Sequence, residues 1–247
     1  MKTFIAGLLL LVVVAFPTLG QKQGDVIINE IGNNGTKRAL YMGGDYVELL
    51  ILKPGGVKLA GWYLTDITSV SSEGKDNEGA IKFSDKDSSV FLQTLPQGTY
   101  VVICLGSKDQ PYGATVLPED ISLTDGNNTI VVYAYGSPKH IEPQAGTMLF
   151  TGKDNVTLLS SWKKTAAVDI VRWEGASSWL GCTPTELPIA ALDNGMICYF
   201  APKGKTLSDF QNHVDPALWK TSSNVGDATP GRKNPGVDDA EIQAPSK

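Results

Sequence analysis

Apolar runs rich in β-branched and aromatic residues recur along the chain, and short turn clusters separate them. The runs occupy residues 26–31, 46–52, 57–64, 89–92, 99–105, 128–135, 155–159, 166–173 and 196–200. The clusters between them include KPGG, LPQG and TDGNN, which are typical of turns. Because no segment keeps a period of 3.6 residues over three turns, the pattern predicts an all-β chain, most simply a sandwich of two sheets.

One run, VKLAGWYLTD at residues 57–66, changes phase in its middle. Apolar residues stand at odd positions up to Leu59 and at even positions from Trp62 onward. A single inserted residue moves every later side chain of a strand to the opposite face. The pattern therefore predicts one strand with a β-bulge at Ala60 and Gly61, which keeps Leu59 and Trp62 in the same core. A strand buried on both faces, without a bulge, is the alternative.

The first 20 residues have the pattern of a secretory signal peptide. One basic residue, Lys2, precedes an apolar run at residues 4–16, and small residues follow at Thr18 and Gly20. The run is too short for a transmembrane anchor, which needs about 20 apolar residues. No cysteine follows the cleavage region, so a lipid anchor is not indicated. We expect a secreted or periplasmic protein without a transmembrane segment.

Residues 21–235 are expected to form one domain, since neither a linker nor an internal repeat interrupts them. Two short helical turns are predicted in this domain, one capped by Thr206 or Ser208 and one capped by Asp215. Residues 236–247 carry proline and charge without apolar periodicity. They are predicted to be a disordered tail.

The net charge narrows the classes of binding partner, and the positions of the cysteines predict the state of their thiols. The formal net charge of −5 argues against nucleic acid and anionic lipid as partners, because both need a basic surface. Cys104 lies within the apolar run YVVICLG and is predicted to be a buried free thiol. Cys182 and Cys198 flank a loop-like segment of an exported chain, which makes them candidates for a disulfide. Three free thiols are the alternative.

The order of several segments resembles the lamin tail domain. That family opens on an Asn-Glu strand and continues with a Glu-Leu strand and a Leu-x-Gly-Trp-x-Leu-x-Asp segment. It often closes on a Thr-Pro-Gly turn followed by an asparagine. The residues that match are Asn29, Glu30, Glu48, Leu49, Leu59, Gly61, Trp62, Leu64, Asp66, Thr229, Pro230, Gly231 and Asn234.

The resemblance runs from about residue 26 to residue 234 and implies an immunoglobulin-like β-sandwich. Bacterial members of the family are typically exported proteins or appendages of exported hydrolases. The chain has no coiled coil, so a filament role is not expected. Its loops at 67–80, 106–119 and 174–195 look longer than a minimal domain requires. Because function concentrates in loops, these insertions are where a specific function is expected.

Local signatures of a hydrolase are missing from the sequence. It has no G-x-S-x-G motif, and its only histidines are His140 and His213. Neither histidine is close in sequence to a cysteine or to the other, so a zinc site is not indicated. A Ser-His-Asp triad assembled from distant residues remains an alternative.

Two acidic segments contain candidate ligands for calcium. Carboxylates in DITSVSSEGKDNEG and SDKDSS form an oxygen-rich site if the two loops meet in space. The spacing does not match an EF-hand, and a solvated acidic surface is the alternative. The candidates are Asp66, Asp76, Glu78, Asp85 and Asp87, with Glu73 nearby. No other cofactor is expected.

Two tryptophans outside the apolar runs are candidates for ligand binding. Trp62 and Trp173 lie in apolar strands and are predicted to be core, whereas Trp162 and Trp179 are free to face solvent. Exposed aromatic side chains are useful for recognising sugars or peptides. The alternative is that both residues anchor loops.

Two glutamates, Glu30 and Glu48, lie inside apolar runs. A buried carboxylate must find hydrogen-bond partners, and backbone amides are a better explanation for these two than catalysis. Together these features predict an exported, monomeric, non-catalytic binding or structural module whose ligand is an unknown protein or glycan. An exported hydrolase, or an appendage of one, with a site assembled from loop residues is the alternative.

Overall fold

The computed structural model of the protein describes residues 22–33, 45–68, 78–105, 119–123, 128–148, 150, 154–173, 179–189 and 191–243. The signal-peptide prediction for residues 1–20 lies outside these ranges. The described strands are β1 (Val26–Asn33), β2 (Tyr46–Ile51), β3 (Tyr63–Thr65), β4 (Ala80–Phe83), β5 (Tyr100–Cys104), β6 (Thr129–Tyr133), β7 (Ile141–Ala145), β8 (Asp154–Leu159), β9 (Ala167–Trp173), β10 (Thr185–Glu186), β11 (Met196–Phe200) and β12 (Trp219–Ser222). The short helix α1 spans Leu207–Gln211, and 3-10 turns span Val90–Leu92, Pro216–Leu218 and Val225–Asp227.

The strands form two six-stranded sheets. The first sheet has the order β12-β11-β1-β2-β5-β6, and the second has the order β10-β9-β8-β3-β4-β7. Most neighbouring strands are antiparallel, whereas β5 and β6 are parallel, as are β9 and β10. Apolar side chains of both sheets, such as Val47 of β2 and Leu64 of β3, join in one buried cluster. The all-β prediction is confirmed, and the architecture is sandwich-like.

The C-terminal segment, defined as residues 228–243, covers the outer face of the first sheet. Ala228 packs in one apolar cluster with Tyr46 of β2 and Val102 of β5. Further along, the hydroxyl of Tyr100 donates a hydrogen bond of 2.7 Å to Asp239. As a result β2 is buried along its whole length, with the common core on one side and the C-terminal segment on the other.

The prediction of a disordered tail is wrong for residues 236–243. Ile242 is fully buried and Val237 is 7% exposed, both within the main core cluster. The backbone folds into tight turns, in which the N–H of Val237 donates to Asn234 and the N–H of Ile242 donates to Asp239. Consecutive turns bury single apolar residues at irregular intervals. The order of this segment is therefore not visible as a helical or strand period in the sequence. Residues 244–247 lie outside the described part.

The phase change at residues 57–66 is a turn and not a bulge. The N–H of Trp62 donates to the carbonyl of Leu59 at 2.9 Å, and Gly61, with φ of 82°, is the third residue of this turn. The strand β3 begins only at Tyr63, so the prediction of one continuous strand with a bulge is wrong. Leu59 and Trp62 are nevertheless both buried in the same core, as predicted. The turn requires a positive φ, which glycine adopts without strain.

Both predicted helical turns near the C-terminal end are present. Thr206 caps α1 and forms a capping box with Asp209, and the Asp215 side chain accepts from the N–H of Ala217 at the start of the second turn. The apolar run at residues 89–92, predicted as a strand, is a 3-10 turn capped by Ser89. No helix in the described part of the chain is long and apolar enough to cross a membrane.

All three cysteines are free thiols, so the predicted disulfide between Cys182 and Cys198 is wrong. Cys198 is fully buried in the core between the sheets. Cys182 is half-buried and packs in a separate apolar cluster with Ile170 and Trp179. The two thiols therefore lie in different layers. Cys104 is a buried free thiol, as predicted.

Candidate functional site

Two glutamates stand opposite each other on the outer face of the first sheet. Glu30 of β1 and Glu48 of β2 are register partners, and both are fully buried. The register of the two strands shifts between Ile28 and Glu30, which makes Asn29 the extra residue of a β-bulge. The bulge brings the Asn29 amide to Glu48, where its Nδ2 donates a hydrogen bond of 2.7 Å to Oε1.

The remaining partners of both glutamates come from the Thr-Pro-Gly turn of the C-terminal segment. Glu30 accepts the N–H of Thr229 at 3.1 Å, and the Thr229 hydroxyl lies 2.9 Å from its second oxygen. The hydroxyl of Tyr46 also donates to Glu30. Glu48 accepts the N–H of Gly231 at 2.6 Å. The interpretation that these carboxylates bind backbone amides is therefore confirmed.

Asn234 completes this arrangement, which we call the carboxylate network. Its Nδ2 donates to the carbonyl of Phe200 at 2.8 Å and to that of Asn29 at 3.2 Å. Its Oδ1 lies 3.0 Å from the Thr229 hydroxyl. The network consists of Asn29, Glu30, Tyr46, Glu48, Thr229, Gly231 and Asn234. It ties the beginning of the described chain to its end.

Burial controls the protonation of the two carboxylates. It raises the pKa of Glu30 to about 6, although the hydrogen bonds from Tyr46 and Thr229 act in the opposite direction. Burial also raises the pKa of Glu48 well above its usual value, and the negative charge of Glu30 raises it further. Glu48 accepts fewer hydrogen bonds than Glu30, and burial raises the pKa of both carboxyls.

A second buried ionisable pair joins the two sheets. Asp169 of β9 and His213 are both fully buried, and 2.9 Å separates Oδ1 of Asp169 from Nε2 of His213. The other oxygen of Asp169 accepts the N–H of Ile28 in β1 at 2.7 Å. The carboxylate therefore links a strand of each sheet to the segment that carries His213.

Both ring nitrogens of His213 lie within hydrogen-bond distance of an oxygen atom. Nδ1 lies 3.2 Å from the carbonyl of Gln211, which can only accept, and Nε2 faces the carboxylate of Asp169. Burial lowers the pKa of His213, but the charge and the hydrogen bond of Asp169 outweigh it, and the net shift is upward. The ring is thus held as an imidazolium, with no nitrogen left to accept a proton from a nucleophile.

His140 has a different environment. Its Nδ1 accepts the N–H of Val90 at 3.1 Å, which assigns the ring proton of the neutral form to Nε2. Burial lowers the pKa of His140. The side chain caps the 3-10 turn that begins at Val90, which is a structural role.

The predicted calcium candidates that the structure describes bind other groups of the protein or face solvent. Asp66 is fully buried and accepts the N–H of Gly79 at 2.5 Å, while Glu78 accepts the N–H of Thr68 at 2.7 Å. Asp85 binds Lys82 at 2.8 Å, and Asp87 is exposed. Asp76 and Glu73 lie outside the described residues. Within the described residues no three His, Cys, Asp or Glu side chains are placed to hold a metal ion.

The two candidate tryptophans lie together on the outer face of the second sheet. Trp162 is half-buried at the tip of the hairpin between β8 and β9, with its ring 5.2 Å from that of Tyr63 and 5.3 Å from that of Trp179. Trp179 is 3% exposed and donates its Nε1–H to the carbonyl of Ile67 at 2.7 Å. Trp179 is therefore a loop anchor and not an exposed binding residue, whereas Trp162 is only partly buried.

Leu180 extends this patch toward the hairpin tip. It is 53% exposed, and its N–H donates to the carbonyl of Lys164 at 2.6 Å, so it lies directly beside the tip. Lys163 and Lys164 are both exposed there. We call Tyr63, Trp162 and Leu180 the aromatic surface.

A shallow polar depression of about 570 Å³ lies over α1. Lys203, Asp209 and Asp215 are among the residues that line it. Asp209 and Asp215 already accept hydrogen bonds as the capping residues of their helical turns. The carboxylates of the depression thus serve the local fold.

Comparisons of the chain with models of protein families, with curated proteins and with solved structures each return no match. The resemblance to the lamin tail domain accordingly depends on the matching residues of the chain itself. In the structure, six of those residues belong to the carboxylate network: Asn29, Glu30, Glu48, Thr229, Gly231 and Asn234.

Proposed function

We propose that the protein is an exported, non-catalytic module with an immunoglobulin-like, lamin-tail-like β-sandwich, and that it binds a protein or glycan ligand through the aromatic surface. The observation that carries this proposal is the position of Trp162. Its half-buried side chain packs against the rings of Tyr63 and Trp179 at the tip of a hairpin, next to exposed Leu180.

The physical properties of the aromatic surface favour recognition. A tryptophan already packed on one side loses little conformational freedom when a ligand covers the other, so its apolar contact contributes efficiently to affinity. The hydrogen bond from Trp179 to Ile67 fixes the base of the cluster. Exposed Lys163 and Lys164 add donors for the hydroxyl or carboxylate groups of a ligand.

The carboxylate network supports the lamin-tail assignment. The Asn-Glu, Glu-Leu and Thr-Pro-Gly motifs are widely separated in sequence, yet Glu30 and Glu48 bind the amides of Thr229 and Gly231 directly. Their order therefore has a common physical cause, since each motif supplies part of one buried hydrogen-bond network. Such a cause favours a shared fold over chance similarity of short segments.

The buried ionisable groups favour a non-catalytic module over a hydrolase. Each oxygen of Glu30 and Glu48 accepts a hydrogen bond from the protein, and both nitrogens of His213 are bound. A general base needs a lone pair within reach of substrate. All three side chains are fully buried, which keeps their lone pairs away from a substrate in solvent.

The binding proposal is tested with arrays of glycans and peptides probed by the purified protein. We expect the protein to bind one chemical class of ligand on one of the two arrays. Trp162→Ala is expected to weaken this binding at least tenfold. Leu92→Ala is the matched control, because it removes a similarly exposed apolar side chain elsewhere. The absence of binding on both arrays, or equal binding by Trp162→Ala, would overturn the proposal.

Catalysis is tested on the same preparation with esterase, phosphodiesterase, glycosidase and peptidase substrates, each with and without calcium or zinc. We expect no turnover. Turnover that co-purifies with the protein and disappears on changing His140 or His213 would contradict the non-catalytic assignment. Export is tested by N-terminal sequencing of the protein recovered outside the cytoplasm, which is expected to begin at Gln21.

A further inference from the structure

The C-terminal segment is attached to the first sheet through two groups that can change charge. Glu30 and Glu48 face each other on adjacent strands, and both bind the backbone of the turn at residues 229–231. Both carboxyls are fully buried beneath this turn. Two ionised carboxylates in such a place repel each other and lack the water that would stabilise them.

We propose that residues 228–243 form a proton-linked latch, which is closed when the Glu30–Glu48 pair holds a proton and opens when both carboxyls ionise. Opening exposes the two side chains to water, where both charges are solvated. It also uncovers the apolar cluster of the outer face, where Ala228 packs beside Tyr46 and Val102.

The direction of the pH effect follows from the pKa values of the two carboxyls. In the open state each has an ordinary pKa near 4.5, whereas in the closed state burial raises the pKa of Glu30 to about 6 and that of Glu48 well above 4.5. Opening therefore releases protons, and the open population grows as pH rises. Over its whole titration Glu30 alone contributes a factor of about 30, because its pKa differs by about 1.5 between the two states and a difference of one corresponds to a factor of about ten. Between pH 5 and pH 8 its share is about eightfold.

The other groups around the pair do not reverse this effect. Burial raises the pKa of the surrounding phenols and thiols, so they stay neutral between pH 5 and pH 8. The charge of exposed Arg232 lowers the pKa of Glu30 and partly offsets the effect of burial. The titratable and charged groups that interact with the pair are Tyr46 of β2, Tyr100 of β5, Cys198 and Tyr199 of β11, and Arg232 of the C-terminal segment.

The latch packs Val237 and Ile242 into the main core cluster, but it takes no part in the strand pairing of either sheet. Within the described residues, each of its polar contacts with the sheet involves at least one side chain, as in the Thr229 N–H bond to Glu30 and the pair Tyr100–Asp239. No residue of the segment belongs to a described strand. Opening therefore breaks no strand pairing within the described sheets.

The experiment is hydrogen exchange of the full chain from pH 5 to pH 8, corrected for the intrinsic exchange rate. Peptides from 228–243 are compared with peptides from β8, which reports global unfolding. In the wild type we expect the opening equilibrium of 228–243 to rise at least about eightfold between pH 5 and pH 8, while β8 stays protected. Equal protection in the two regions, or pH-independent opening, would overturn the proposal.

Two variants separate proton linkage from mere destabilisation. Glu48→Gln removes one titrating group, so the dependence of opening on pH is expected to flatten whatever its effect on overall stability. Arg232→Gln alters only an exposed side chain, and we expect it to raise the pKa of Glu30 and move the transition to higher pH. Profiles parallel to the wild type in both variants would overturn the proposal.

Discussion

Asp169 and His213 form an ion pair with both side chains fully buried, and the second oxygen of Asp169 binds the backbone of β1. One carboxylate thus satisfies a histidine ring and an amide of the opposite sheet. A buried pair of this kind is expensive to break, because loss of one member leaves the other charged and unpaired.

The first prediction concerns this pair. Asp169→Asn is expected to lower the free energy of unfolding by about 3–5 kcal/mol at pH 6, measured by urea denaturation. Asp87→Asn, at an exposed position, serves as the control and is expected to change it by less than about 0.5 kcal/mol. A loss below about 1 kcal/mol for Asp169→Asn would contradict the structural role.

The pair also has a defined pH dependence. The pKa of His213 is raised in the folded state, so its stabilisation is complete below the unfolded value of about 6.5 and is lost as pH rises through the folded value. We therefore expect the difference in unfolding free energy between the wild type and Asp169→Asn to shrink as pH increases above 6.5. A difference that grows with pH would show that the assigned charge state is wrong.

The second prediction concerns the turn at Gly61. A Cβ there meets no atom closer than 4.0 Å, so the cost of Gly61→Ala comes from the backbone alone, at φ of 82°. We expect a loss of about 1–2 kcal/mol in unfolding free energy. Gly226→Ala is the control, because its φ is not in the left-handed region and its nearest contact is 3.6 Å away. Equal stability of the two variants would argue against the turn.

The third prediction tests the order of the chain end. Ile242→Ala removes a fully buried side chain and is expected to cost about 2–5 kcal/mol by chemical denaturation. The adjacent, exposed Glu241 provides the control, and Glu241→Ala is expected to be nearly neutral. If Ile242→Ala is equally neutral, the segment is a tail after all.

The fourth prediction concerns the thiols. Thiol titration of the denatured protein without reductant is expected to find three free groups, and a reductant is expected to leave the melting temperature of the native protein unchanged. Cys182→Ala and Cys198→Ala should each leave two titratable thiols. A single free thiol in the wild type would restore the disulfide between Cys182 and Cys198.

The sequence predicts the long, regular strands well. Six strands coincide with predicted runs of β-branched or aromatic residues, namely β1, β2, β5, β8, β9 and β11. β7 is missed because Pro143 argues against a strand, although proline is tolerated at the edge of a sheet, where β7 lies. β12 is missed because only Trp219 of its four residues is buried. Short edge strands depend on their neighbours and carry little pattern of their own.

The candidate site is predicted less completely. A carboxylate within an apolar run signals a need for partners, which correctly explains Glu30 and Glu48. The same signal marks Asp169 in AAVDIVRW, and it could have led to the second buried pair. Its partner His213 could not be identified, since 44 residues separate the two and only the fold brings them together. The sequence places Trp179 in a loop and therefore allows it to face solvent. In the structure it is buried, with its Nε1–H donating to the carbonyl of Ile67, which is far away in sequence.

The most direct test of the proposed function is a hydrogen-exchange footprint of the full chain with the ligand selected on the arrays. Binding through the aromatic surface predicts new protection confined to residues 160–166, 179–183 and the neighbourhood of Tyr63. The same footprint with Trp162→Ala should be at least tenfold weaker at equal ligand concentration, whereas Leu92→Ala should match the wild type. Protection centred on the depression over α1, or on residues 228–243, would contradict the assignment of the ligand to the aromatic surface.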